Sequence, residues 1–97
     1  MNLNLNHEGF ETYLVKRHEL YHGIQYMFRF ENNYGASVVK HFGSYGHEDD
    51  LWELAVIKFD AETEKRNLTY DIEITDDVLG WQTDGEIRDL LKRIKEL

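Results

Sequence analysis

The chain has 97 residues, 11 Lys and Arg against 19 Asp and Glu, and a net charge of −8 with neutral histidines. That length leaves room for one domain, 1–97, and a balance this acidic is repelled by phosphate backbones, so direct nucleic-acid binding is not expected. With no cysteine there is no disulfide framework, thiolate nucleophile or Cys-ligated zinc, and no run nears the ~20 apolar residues of a membrane span.

The first residues, Met1 to Asn6, are polar and uncharged, without the basic start and apolar stretch of a signal peptide. A soluble protein of a reducing cytoplasm is the expectation. Thr12 to Arg17 reads as a first strand, paired with the next through a turn at His18–His22. The competing reading is a helix, because Phe10, Tyr13, Leu14, Arg17 and Tyr21 fall at helical spacings. The β-rich Thr12, Tyr13 and Val15 favour the strand.

Ile24, Tyr26, Phe28 and Phe30 alternate with Gln25, Met27, Arg29 and Glu31, which predicts a strand over 24–31. Asn32-Asn33-Tyr34-Gly35 supplies residues that tolerate positive φ, and Ala36 to Phe42 resumes as a strand. Leu51 to Phe59 is apolar on both faces, with Trp52, Leu54 and Val56 on one and Ala55, Ile57 and Phe59 on the other. That is the pattern of a central or doubly covered strand. Residues 43–50 and 60–67 read as exposed connections. Leu68 to Thr75 alternates as a strand, and 75–80 reads as a capped single turn ending at Gly80.

The last segment predicts a helix over 84–97. Ile87, Leu90, Leu91, Ile94 and Leu97 fall on one face, Thr83 with Glu86 forms a capping box, and Lys92, Arg93 and Lys95 suit the C-terminal dipole. The expected fold is therefore α+β: a four- to five-stranded antiparallel meander packed by one C-terminal amphipathic helix.

One formal motif is present. His18-Glu19-Leu20-Tyr21-His22 matches H-E-x-x-H, in which a helix brings two histidines to one zinc with the glutamate as base. Here it falls in the expected hairpin, and no further ligand motif follows. His18 and His22 stand as metal candidates only on that alternative, a small metal-dependent hydrolase; otherwise no cofactor or metal is expected. His41, His47 and the acids Glu48, Asp49 and Asp50 lack the ordered spacing and glycine of a calcium loop. Ser37 and Ser44, the only serines, are in no nucleophile-elbow context.

Asp71, Glu73, Asp76 and Asp77 form the densest acidic run, suited to a strand's wet face and helix-start cap, to a basic partner, or to a carboxylate cluster for Mg²⁺. Tyr34, Tyr45 and Trp81 fall beside turns, where exposed aromatics mark protein interfaces. These seven residues are the expected partner-binding set.

Tyr26, Phe28-Arg29-Phe30-Glu31-Asn32 and Tyr34-Gly35-Ala36-Ser37-Val38-Val39 resemble a family of short uncharacterised tailed-bacteriophage proteins. Leu51 to Val56, Leu68 to Asp71, Ile74 to Val78 and Gly80-Trp81 continue the resemblance, which covers about residues 24–81. Asn33 departs from it, standing where glycine is expected, but asparagine also accepts positive φ. The resemblance names no chemistry. A phage origin implies a host bacterial cytoplasm, while charge, size and the absence of a catalytic constellation point to a non-enzymatic accessory protein that binds a host or phage protein, in host takeover or counter-defence. A self-associating structural accessory, a homo-oligomer, is the other open reading.

Overall fold

The computed structural model describes residues 2–59, 66–68 and 78–97. Strands β1 (Leu14–Leu20), β2 (Gly23–Arg29), β3 (Tyr34–Lys40), β4 (Trp52–Phe59) and β5 (Arg66–Leu68) pair in sequence order, each antiparallel to the last. Helix α1 (Asp84–Lys95) packs on β3 and β4. The expected α+β meander with a C-terminal helix is the fold observed.

Alternation sets the faces. Ile24, Tyr26, Phe28, Ala36, Val38, Trp52, Leu54 and Val56 point to one side and bury there with Ile87, Leu90, Leu91 and Ile94 of the helix. Met27, Ile57 and Phe59 cluster on the other side. Each large apolar side chain removed from water contributes about 1.5–3 kcal/mol, so the helix face alone supplies several. Leu97, expected on that face, is exposed instead, because the helix ends at Lys95.

Both helix ends are fixed by long-range bonds. At the start Thr83 and Glu86 form the reciprocal capping box, and Asp84 accepts from the Trp52 indole at 2.6 Å and from the Asn6 amide at 3.2 Å. At the far end Asn32, in the β2–β3 turn, donates to the Ile94 and Lys95 carbonyls at 2.9 and 3.2 Å. These belong to the last turn, whose carbonyls lack α-helical partners; that of Ile94 also takes the Leu97 amide at 3.2 Å. The neighbouring Asn33 has φ +66, so the turn position does require positive φ.

The N-terminal segment also packs on this face of the sheet. Leu5 is buried in the main core. The Tyr26 hydroxyl accepts from the Leu5 amide at 3.2 Å and from Arg17 Nε at 3.0 Å, and donates to the Leu3 carbonyl at 3.0 Å.

Four boundaries differ from the sequence expectation. β1 runs to Leu20, and the turn is only Tyr21-His22, both at positive φ (48° and 62°), a tight primed turn. β3 stops at Lys40, two residues before Phe42. Arg66 and Asn67, expected in a connection, are strand together with Leu68. Leu79 and Gly80 belong to a further strand, β6 (Leu79–Gln82), rather than to a helical turn, and β6 pairs with β4. Residues 69–77, which hold most of the expected 68–75 strand and the start of that turn, lie outside the described residues.

Lys40 is 2% exposed, an unusual place for an ammonium. Its Nζ donates to the Asn2 carbonyl at 2.7 Å and to Asp50 Oδ1 at 3.0 Å, and lies 4.2 Å from the centre of the Trp52 ring. Asp50 also accepts from the Asn2 amide at 2.7 Å. The hydrogen bond from Lys40, then that from Asn2, holds the Asp50 carboxyl below its ordinary value of 3.8. A depressed folded value contributes stability that is present above 3.8 and lost as pH falls through the folded value. Asp50→Asn should therefore lower the urea midpoint at neutral pH, and the gap to the parent should close in acid. A gap independent of pH would show that the charge is not its source.

Candidate functional site

The connection from β3 to β4 is tied to itself. Buried Ser44 accepts from the His41 amide at 3.0 Å and donates to the His41 carbonyl at 2.9 Å. His47 Nδ1 bonds the Ser44 carbonyl at 2.7 Å, which places a proton on that nitrogen because a carbonyl only accepts. A short 3-10 turn, His47–Asp49, follows Gly46, and the Leu51 amide returns to the Gly46 carbonyl at 3.0 Å. The loop thus presents Tyr45 on a braced backbone, and its amide donates to Glu53 Oε1 at 3.1 Å.

Trp81 reaches this loop because of a defect in pairing. Trp52 pairs with Gln82 and Leu54 with Leu79, so Glu53 alone faces both Gly80 and Trp81. This is a β-bulge, which bends a strand and re-aims the side chain of its extra residue. Trp81 sits in the bulge at φ +55, a backbone region favoured by glycine and costly for a bulky residue. Its indole stacks on Tyr45, with ring centres 5.5 Å apart and planes 28° apart.

Two glycines make room for the stack. A Cβ on Gly80 would stand 2.4 Å from Tyr45 Cβ, and one on Gly46 would stand 2.9 Å from the backbone of Trp81. Gly46 also has φ +98. Despite this close fit the rings remain in solvent: Tyr45 is 57% exposed and Trp81 56%. Beside them lies a shallow cleft of about 200 Å³, lined also by His47, Glu48 and Asp49.

The aromatic surface continues along this end of the sheet. Phe42, 62% exposed, lies between His22 (ring centres 5.2 Å) and His47 (6.1 Å). Tyr21, 71% exposed, meets His41 edge-on at 5.5 Å. Nothing in the sequence marks Phe42 or Tyr21, the first of which falls in an expected strand and the second in an expected turn. Their signal would have been a two-residue turn opposite the end of β3.

Tyr34 does not join them. It starts β3 at the opposite end of the sheet, packs half-buried against the main core, and has Lys58 Nζ 5.9 Å from its ring centre. Asp71, Glu73, Asp76 and Asp77 lie outside the described residues.

The His18-Glu19-x-x-His22 motif falls on a strand and its turn, so the helical spacing that would converge two histidines is absent. His18 Nε2 bonds Gln25 Oε1, whose amide donates to Ser37 Oγ at 2.7 Å, a polar row across the sheet face opposite the helix. His22 instead packs on Phe42 at the sheet's end. Among the described residues no three His, Asp or Glu side chains gather as a metal site.

No family model, curated protein or solved structure matches the chain.

The strain at Trp81 is measurable. Trp81→Gly should be more stable than Trp81→Ala by about 1 kcal/mol in urea unfolding, since both lose the ring and only glycine relieves the backbone. Equal stabilities would argue against a strained position. Gly80→Ala should abolish the near-UV circular dichroism of the Tyr45–Trp81 stack while leaving the far-UV spectrum in place.

Proposed function

We propose that this chain is a non-enzymatic accessory protein that binds a protein partner through the aromatic end built by Tyr45 and Trp81, with Phe42 and Tyr21 extending it. The carrying observation is the bulge that aims Trp81 into solvent at φ +55 and stacks it on Tyr45. Such an arrangement costs stability, whereas burying the indole would gain it. Strain of this kind persists where it serves a function, and exposed Trp and Tyr on a rigid support are the residues that dominate binding energy at interfaces. The small size, the net charge of −8 and the lack of a catalytic constellation among the described residues support the same class, an accessory protein acting on a host or phage protein in a bacterial cytoplasm.

Affinity capture from host cells, infected and uninfected, tests this reading. A partner retained by the parent chain should be lost on Trp81→Ala, with affinity lowered about 30-fold, the equivalent of a ~2 kcal/mol hot spot. Tyr34→Phe, at the other end of the sheet, should retain it. A partner held equally by the parent and by a folded Trp81→Ala variant would place the contact surface elsewhere.

A further inference from the structure

The rings of this protein divide into two sets. Arg17 lies over Tyr26, Arg29 over Phe59, Lys40 over Trp52, Lys58 over Tyr34 and Lys95 over Tyr13, at 4.2–5.9 Å from the ring centres. No such cation lies over Trp81 or Tyr45 among the described residues. Of the two tryptophans, the buried one holds an ammonium at 4.2 Å, while the exposed one has none among the described residues. The cleft beside the exposed indole is lined by the acidic Glu48 and Asp49 together with His47, and among the described residues by no Lys or Arg. Neither carboxylate has an ion-pair or side-chain hydrogen-bond partner among the described residues, where the one ion pair is Lys40–Asp50.

An open indole face beside two unpaired carboxylates is chemically specific. The ring quadrupole attracts a cation, best of all at tryptophan, and the carboxylates add charge-assisted hydrogen bonds. Apolar side chains would gain from the rings but would have to desolvate the acids without compensation. Anionic groups would be repelled. Resting on the binding reading above, we propose that the Tyr45–Trp81 cleft receives a guanidinium or ammonium side chain from a basic segment of a protein partner. The cation lies on the indole face that Tyr45 leaves open, and Glu48 and Asp49 neutralise it. The site is the intermolecular counterpart of the Lys40–Trp52–Asp50 contact inside the fold.

The probe is a short peptide with two arginines separated by glycine, titrated into ¹⁵N-labelled protein at neutral pH, with a citrulline peptide of the same length as the uncharged match. The expected result is a saturable shift of the Trp81 indole and of the Tyr45, Glu48 and Asp49 amides with the arginine peptide, and none with citrulline. The Trp52 indole, bonded to Asp84, should stay still. Trp81→Ala should abolish the response, and Glu48→Gln with Asp49→Asn should weaken it roughly ten-fold. The cation assignment is overturned if citrulline binds as well as arginine, if the double neutralisation leaves affinity unchanged, or if shifts never saturate and spread over all acidic positions. It is also overturned if sedimentation shows a mass doubling that Trp81→Ala removes, since the occupant is then a second copy. Should the natural partner depend on Trp81 but not on Glu48 and Asp49, the binding reading stands and the cation reading falls.

Discussion

The buried indole of Trp52 is the contact on which the rest of this structure depends. Its Nε1 donates to Asp84 and so fixes the start of α1 against β4, while the same carboxylate takes the Asn6 amide and holds the N-terminal segment across the sheet. Its ring meets Tyr26 edge-on at 5.7 Å and carries the Lys40 ammonium on its face. One side chain therefore joins the helix, β2, β3 and the N-terminal segment. Replacing an indole in such a place by alanine typically costs 3–5 kcal/mol from lost contacts and the cavity left behind. Here it would also take one of the partners from Asp84, leaving it the Asn6 amide, and the ring from beneath Lys40, leaving it Asn2 and Asp50.

Trp52 also reaches the proposed site, through the backbone. Its pairing with Gln82, set against Leu54 with Leu79, leaves β6 one residue too long for the partner it faces. The excess has to leave the ladder, and it leaves at Gly80-Trp81. Because Trp52 is locked in the core, the register cannot slip to absorb it. The exposed indole is thus held out by the buried one, and the strain at φ +55 is stored in a segment anchored on both sides by core pairs and by the helix cap at Thr83. That arrangement gives a rigid aromatic platform, which loses little conformational freedom on binding.

What could be read in the amino-acid order was whatever depends on near neighbours. The helix start was legible because Thr83 and Glu86 serve each other across three residues, and the meander was legible because alternation states which side of a strand is buried. What required folding is non-local. Nothing near Leu5 says that its amide will meet the hydroxyl of Tyr26. The β1–β2 turn uses Tyr and His at positive φ instead of Asn-Gly, so its place was misread by a few residues. The bulge broke the alternation of β6, and a Leu-Gly step there resembled a helix stop. Tyr34 was grouped with Tyr45 and Trp81 because all three lie near turns. Its cross-strand partner, Lys58, which covers its ring, is far off in sequence.

The charge balance takes on structural meaning once the cations are placed. Among the described residues, five Lys and Arg side chains lie over rings of the protein's own fold. The acids are not matched inward in the same way: Asp50 pairs with Lys40 and Asp84 with an indole, while Glu48 and Asp49 face solvent beside Trp81. A net charge of −8 then acts at two ranges. At a distance it draws in basic surfaces and speeds encounter, an effect that salt weakens within about 10 Å. At contact the aromatic face and its two carboxylates supply a short-range preference for a cation that salt screens less. On the proposed reading, the same acidity prepares the encounter in which the exposed indole takes part.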